Sequence, residues 1–352
     1  MREKNLIGLL LVLLTAVSMA ESGSPASRSL NRFVMGTPGG TADGAPSADV
    51  VASAPSSVSA DGESWAIARA VSPEYTIRRT VPEVPFQFSV ADEHGRLVNS
   101  LTAADVRIFG NQRAVQRIRQ FSRQNGLPLQ AGILLDVSDS VQKNIAREKL
   151  AAKFFLRQVL RPDADHAFLM AFARNVTLWQ VSTGEPATLR DAVERVPPFG
   201  SAATSLYDGL FSACLDQFAQ PNGREAAQRV IVLFSDGNDT GSLHSMPDVI
   251  ALAQRSEVQI FALSVHPKRK DAPRDEVLQR LADETGGRLY VANSDKELSA
   301  IFTDMKQQMR TQYSVSFQPQ QETRGFHALR LELAGPGKLR VRARQGYYVD
   351  AP

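Results

Sequence analysis

Two hydrophobic rhythms run along this chain, one inside the other. Between residues 81 and 121 apolar and polar positions alternate in short runs. Residues 85–90 alternate and are followed by a turn at 91–95; 96–98, 105–109 and 116–121 give further strands, with a Gly110-Asn111 turn between the last two. Period-two runs separated by turn residues predict a small β-sandwich. From Leu127 the rhythm changes to strand, helix, strand. Residues 131–135 form an unbroken apolar run, as in a strand covered on both faces. Helical spacing follows through Ile145, Leu150, Phe154, Phe155 and Leu160. Further buried strands are expected at 167–172, 230–234, 259–265 and 288–291, helices at 204–217, 246–255, 273–284 and 295–310, and an antiparallel edge strand at 176–181. Parallel strands need crossover connections, so the expected fold class is α/β: a doubly wound, mostly parallel sheet wrapped by helices.

After the last helix, strands return at 313–317, 328–333 and 339–344. They are too few to stand alone and leave unpaired edges, a liability that proteins cover. The α/β domain, residues 126–311, is therefore expected to be inserted into a β-sandwich split between 76–125 and 312–352.

Composition adds the context. The first twenty residues read as a signal peptide: Arg2 and Lys4 lead an apolar run from Leu6 to Val17, and Ser18-Met19-Ala20 offers small residues for cleavage. That run is too short to span a bilayer comfortably, and no second one of its length follows, so no transmembrane segment is expected after cleavage. The expected location is outside the cytoplasm, periplasmic or secreted. Residues 21–75, rich in Ser, Ala, Gly and Pro, read as a disordered linker. The 40 Lys and Arg nearly balance 37 Asp and Glu, without the basic, aromatic-interleaved stripe of a nucleic-acid binder, so no nucleic-acid partner is expected. The basic run at 268–270 reads as a solvated loop. One cysteine, Cys214, cannot close an internal disulfide, and its apolar helical surroundings suit a small buried hydrophobe.

The candidate chemistry lies at strand ends, where doubly wound sheets bind ligands. The first α/β strand ends in Asp136-Val137-Ser138-Asp139-Ser140, the loop before the 204–217 helix supplies Thr204, and strand 230–234 ends in Ser235-Asp236-Gly237. Two carboxylates and three hydroxyls, with no His or Cys beside them, suit Mg²⁺ or Mn²⁺ better than zinc. Singly, Asp136 and Ser138 could cap a helix and Asp236-Gly237 could form a turn. Together, Asp136-x-Ser138-x-Ser140, Thr204 and Asp236 resemble the metal-ion-dependent adhesion site of von Willebrand factor type A domains, and the likeness extends over 126–311. The flanks resemble exported bacterial proteins of the von Willebrand factor A-related group.

The resemblance implies that Ser138 and Ser140 hold the metal directly, that Asp136 and Asp236 act mainly through waters, and that Thr204 does either depending on state. A coordination position is then left for an Asp or Glu carboxylate of a partner protein. Asp139 stands where many relatives have Gly, which leaves open tighter metal binding or weaker binding of an acidic partner. The 200–204 run lacks the adjacent glycines frequent before that Thr. Asp208 and Asp239 read as a helix-surface residue and a loop residue rather than ligands. No Gly-x-Ser-x-Gly elbow, phosphate-binding Gly-Lys-Ser/Thr loop or His-Glu-x-x-His helix is present, and Ser138 stands where an Asp-x-Asp phosphatase has its second carboxylate. The expected function is metal-dependent protein binding with no catalysis. A structural scaffold whose metal only stiffens the domain is the alternative, and a metal-dependent hydrolase the remote one.

Overall fold

The computed structural model describes residues 83–115, 117–139, 141–198, 201–218, 227–265, 273–319, 324–334 and 338–349. The signal peptide and the linker expected at 1–75, and the basic run at 268–270, lie outside the described residues.

The α/β part is built on β5 (Leu129–Asp136), buried along nearly its whole length. Parallel to it lie β6 (His166–Phe172) on one side and β8 (Gln228–Phe234) on the other. The chain passes from β6 to the antiparallel edge strand β7 (Val176–Thr183), then returns across to β8, β9 (Val258–Ser264) and β10 (Leu289–Val291). The sheet order β10-β9-β8-β5-β6-β7 reverses direction between β5 and β8. At such a point the two following connections leave on opposite faces, opening a crevice at the carboxyl ends of both strands.

Among the described residues six α-helices cover the sheet. On one face α1 (Ile145–Gln158), α2 (Pro186–Arg195) and α6 (Asp295–Arg310) pack Phe155, Val193 and Phe302 against Ile133, Leu135 and Leu169. On the other, α3 (Leu206–Ser212), α4 (Met246–Arg255) and α5 (Pro273–Thr285) pack Leu210, Val249 and Leu281 against Leu134, Phe168 and Ile231. Gly132 of β5 belongs here too: a Cβ would stand 2.5 Å from the Phe168 ring. The α2 helix was absent from the expected elements, although Pro186 at its start and Leu189, Ala192 and Val193 on one face are ordinary helix signals. The expected 204–217 helix is α3 followed by a π-helical turn, Ala213–Phe218.

The two flanks pair with each other. One sheet has the order β13-β1-β11-β4, from β1 (Val84–Ala91), β4 (Ile118–Asn125), β11 (Thr311–Phe317) and β13 (Arg340–Ala343). The other has the order β14-β12-β2-β3, from β2 (Val106–Gly110), β3 (Arg113–Ala114), β12 (Gly325–Leu333) and β14 (Gly346–Val349). Phe86, Phe88, Ile108, Tyr313, Phe317 and Tyr347 fill the core between them. Only a single bridge, Ala91 to Leu97, stands where a strand was expected at 96–98. The final strand β14 was not foreseen.

Three residues separate β4 from β5, and none separates α6 from β11. The two crossings run side by side, with Thr311 paired to Asn125 and the Gly126 N–H donating to the Arg310 carbonyl at 3.0 Å. The Arg310 guanidinium bonds the buried Asp165 carboxylate and the carbonyls of Leu127 (2.7 Å) and Val159 (3.0 Å). Asp165 also accepts the N–H of Leu129 (2.8 Å) and of Arg161 (2.6 Å), so one carboxylate ties the start of β5 to the ends of α1 and α6.

Candidate metal centre

Asp136 is the last residue of β5 and is fully buried. Its Oδ1 accepts the Ser138 N–H (3.1 Å) and hydroxyl (2.6 Å), and its Oδ2 accepts the Ser235 hydroxyl (2.8 Å). Ser235, one residue past β8, accepts the Gly237 N–H at 3.0 Å. Asp236 is 6% exposed and accepts the Asn238 N–H at 3.1 Å, in a turn that Gly237 permits with φ of 78°. The cap reading of Asp136 fails, because α1 starts only at Ile145; the turn reading of Asp236 holds beside its place in the crevice.

Thr204 reaches the same crevice from the loop before α3. Its neighbour Ser205 fixes that loop to the end of β6, donating its N–H to the Ala173 carbonyl (2.7 Å) and its hydroxyl to the Arg174 carbonyl (2.9 Å). The Thr204 N–H donates to the Thr240 hydroxyl, and the Thr204 carbonyl accepts the N–H groups of Thr240 and Gly241. The structure thus brings Asp136, Ser138, Thr204 and Asp236 to the carboxyl ends of neighbouring strands, all four buried. Ser140, the remaining expected ligand, lies outside the described residues.

Burial pushes the Asp136 carboxyl up to about 6, with the nearby Asp236 charge adding to it and the bonds from Ser138 and Ser235 opposing it. A third carboxyl shares this field. Glu148 of α1 is completely buried, and burial, then the charges of Asp136 and Asp236, push it well above the usual carboxylate range. Sequence reasoning missed Glu148. The available signal was its phase, since it stands three, four and seven residues before Ala151, Ala152 and Phe155 on the inward side of the helix.

Among the described residues no three His, Cys, Asp or Glu side chains are grouped to hold a metal. A cation here would therefore need hydroxyls as well as the two carboxylates. Such a set fits a hard divalent ion: all donors are oxygen, two carry formal charge, and their burial leaves that charge poorly solvated.

The family profile described as von Willebrand factor type A domain matches residues 132–304, which span β5 to most of α6. These residues form a von Willebrand factor type A domain. Curated relatives of this A-domain chain include a UPF0353 protein of Mycolicibacterium gilvum, 27% identical over 205 residues, covering 50% of this chain and 59% of the relative. A UPF0353 protein of Mycolicibacterium vanbaalenii is 28% identical over the same length, with the same coverage, so the chain spans less than two thirds of either relative. Among solved structures, proximal thread matrix protein 1 of the mussel byssus, with a zinc-occupied MIDAS motif, aligns at TM-score 0.44 and 16% identity over 53% of this chain and 48% of that one. BatB of Bacteroides thetaiotaomicron aligns at TM-score 0.41 and 18% identity over 51% of this chain and 98% of that one.

Beside the A domain's crevice, Asp208 and Asp239 hold loops together. The Asp239 Oδ1 accepts the Tyr207 N–H and the Ser242 hydroxyl, while Asp208 accepts the N–H groups of Leu243 and His244. Cys214 is fully buried, and burial pushes its thiol up to about 12, far from a reactive thiolate. No helix among the described residues is long and apolar enough to cross a membrane.

Proposed function

We propose that the A domain binds one Mg²⁺ or Mn²⁺ through Asp136, Ser138, Ser140, Thr204 and Asp236, and that the bound ion captures an Asp or Glu carboxylate of a partner protein. What supports this reading is that Asp136, Ser138 and Asp236 stand buried at the ends of β5 and β8, with the buried Thr204 bonded to the loop that follows Asp236. Ser138 and Ser140 would touch the ion, Asp136 and Asp236 would act mainly through waters, and Thr204 would do either. Neutral direct ligands leave the ion electrophilic towards an incoming carboxylate, and this would be the ion's whole chemical contribution. The chain's own residues orient that site: Ser138 and Ser235 fix the Asp136 carboxylate, and Thr240 and Gly241 fix Thr204.

The reading also makes the protein an exported adhesion or assembly module, periplasmic or secreted, that catalyses no reaction; the basic, apolar, small-residue order of residues 2–20 supports export. Affinity capture from an envelope extract, once with Mg²⁺ and once with chelator, tests it. A partner retained only with metal, and lost with Asp136→Ala, is the expected result. Calorimetry showing unchanged metal affinity in Asp136→Ala removes the site.

A further inference from the structure

We infer that a cavity at the opposite end of the A domain's sheet is a site for a small zwitterion, an α-amino acid, with its carboxylate on Arg344 and its ammonium group on Glu257. The cavity holds about 570 Å³, within the range of ordinary small-molecule sites. None of the candidate metal ligands lines it.

Two surfaces enclose it. One is the amino-terminal base of the parallel strands, where Gln130 of β5 and Gln228 of β8 line the space. The other is the outer face of β1 and β11. Phe86 and Phe88 fill the sandwich core, so pleating turns Gln87 the opposite way, and its register partner Ser314 lines the cavity with it. Amides hold these walls together: Gln228 and Gln312 both donate to the Gln259 Oε1, at 3.0 and 2.9 Å, which ties the base of the sheet to β11. The site is thus preformed, as small-molecule sites commonly are, and rich in neutral donors and acceptors.

Charge chooses the ligand. Arg344, just past β13, lines the cavity with a side chain only 11% exposed. One guanidinium nitrogen donates to the Gln254 carbonyl at 3.0 Å and another to the Pro85 carbonyl at 2.6 Å, both neutral acceptors. Its Nε is buried without a hydrogen-bond partner, and so is the Oε1 of Gln254, another lining residue. Among the described residues Glu257 is the one carboxylate within pairing distance of Arg344, at 3.9 Å and with its side chain 54% exposed. Burial pulls the guanidinium below its ordinary value, and the Glu257 charge opposes that pull. The buried cation is therefore loosely paired, and a carboxylate entering the cavity gains a charge-assisted bond. Glu257 lines the cavity too and would repel a simple anion. An ammonium group beside the ligand's carboxylate turns that repulsion into attraction, and the unpartnered Gln254 Oε1 is a further acceptor on the same stretch of chain.

The test is titration calorimetry on the full chain in EDTA, which keeps the strand-end site out of the readout, with the common L-amino acids as probes. Each one that binds is compared with its α-hydroxy acid, which lacks the ammonium group, and its carboxamide, which lacks the carboxylate. At least one amino acid should bind saturably, its carboxamide should not, and its hydroxy acid should bind about fivefold more weakly. Arg344→Gln should abolish binding, and Ser314→Trp should do so by filling the cavity. Glu257→Gln should weaken the amino acid about fivefold and leave the hydroxy acid no weaker. Arg344 also braces two backbone carbonyls, so if Arg344→Gln fails to fold, Ser314→Trp and the half-exposed Glu257→Gln decide. Amino-acid binding unchanged in those two variants overturns the inference, as does a carboxamide that binds as well as its acid. Binding of none of the probes to the native protein overturns it as well.

Discussion

Replacing Asp136 by Asn should make the metal-free protein more stable while abolishing its response to metal. In the folded, metal-free chain the Asp136 carboxyl sits at about 6, against an ordinary value of 3.8. The folded state therefore holds this proton more tightly than the unfolded chain does. Its contribution is fully present below about pH 4 and is lost as pH rises through about 6. A shift of about two units corresponds to roughly 3 kcal/mol between the two ends of that window. Asn presents a neutral group of the same shape, and the Ser138 and Ser235 hydroxyls can rotate to suit it. Urea unfolding in chelator, from about pH 4 to pH 8, should show the native sequence losing up to roughly 3 kcal/mol relative to Asp136→Asn. Excess Mg²⁺ at about pH 7.5 should then stabilise the native protein by mass action and leave the variant unmoved. A variant no more stable than the native chain at that pH in chelator, or one still stabilised by Mg²⁺, would refute the reasoning.

Asp165→Asn should lower stability at neutral pH by about 3–5 kcal/mol, because the buried Arg310 loses its counter-charge; chemical denaturation measures it. Burial alone would raise the Asp165 carboxyl, but the Arg310 bond and the N–H groups of Leu129 and Arg161 outweigh it and hold it low. Its stabilisation is thus present above the ordinary carboxylate range and fades in acid as pH falls through the depressed value, so acid unfolding should be less steep in the variant. Gly132→Ala should cost about 1–3 kcal/mol by thermal or urea unfolding, since the added methyl would stand 2.5 Å from the buried Phe168 ring and force it to shift. Residues 126–311 expressed alone should fold, while 76–125 alone should show no cooperative thermal transition; a cooperative melt of 76–125 would count against a split sandwich. Cysteines placed across the boundary between α6 and β11, with Cys214 replaced by Ser, should change partner affinity when oxidised, and equal affinity in both redox states would discard coupling between the two parts.

Much of this architecture is legible because its signals are local. Fully covered strands such as β5 and β8 read as unbroken apolar runs, and the half-covered flanking strands read as alternation. Asp136, Ser138, Ser140 and Asp236 were visible as candidates because they sit at or just past a strand end, where hydroxyls and carboxylates interrupt hydrophobic residues, and Thr204 because it stands just before a helix. What escaped depends on geometry across the sheet. Glu148 lies twelve residues after Asp136, yet only helical phase and the packing of α1 bring its carboxyl into the field of Asp136 and Asp236. The function of Asp208 as an anchor for the 243–244 backbone was equally hidden, because its partners lie 35 and 36 residues downstream. Helix α2 went unseen for a simpler reason: ten residues with three buried positions give a weak periodic signal beside an edge strand.

The adjacent crossings at Asn125 and Thr311 also bear on mechanical load. Both ends of the A domain attach at one place, where β4 and β11 are laddered from Thr311–Asn125 to Phe317–Ile118, and β11 is laddered again to β1. Tension that draws the flanking chains apart must therefore open the β4–β11 ladder from its Phe317–Ile118 end before it can stretch anything between residues 126 and 310. The inserted domain is mechanically shunted: it can keep its crevice undistorted while the strands that carry it are pulled, until the β4–β11 pairing itself gives way.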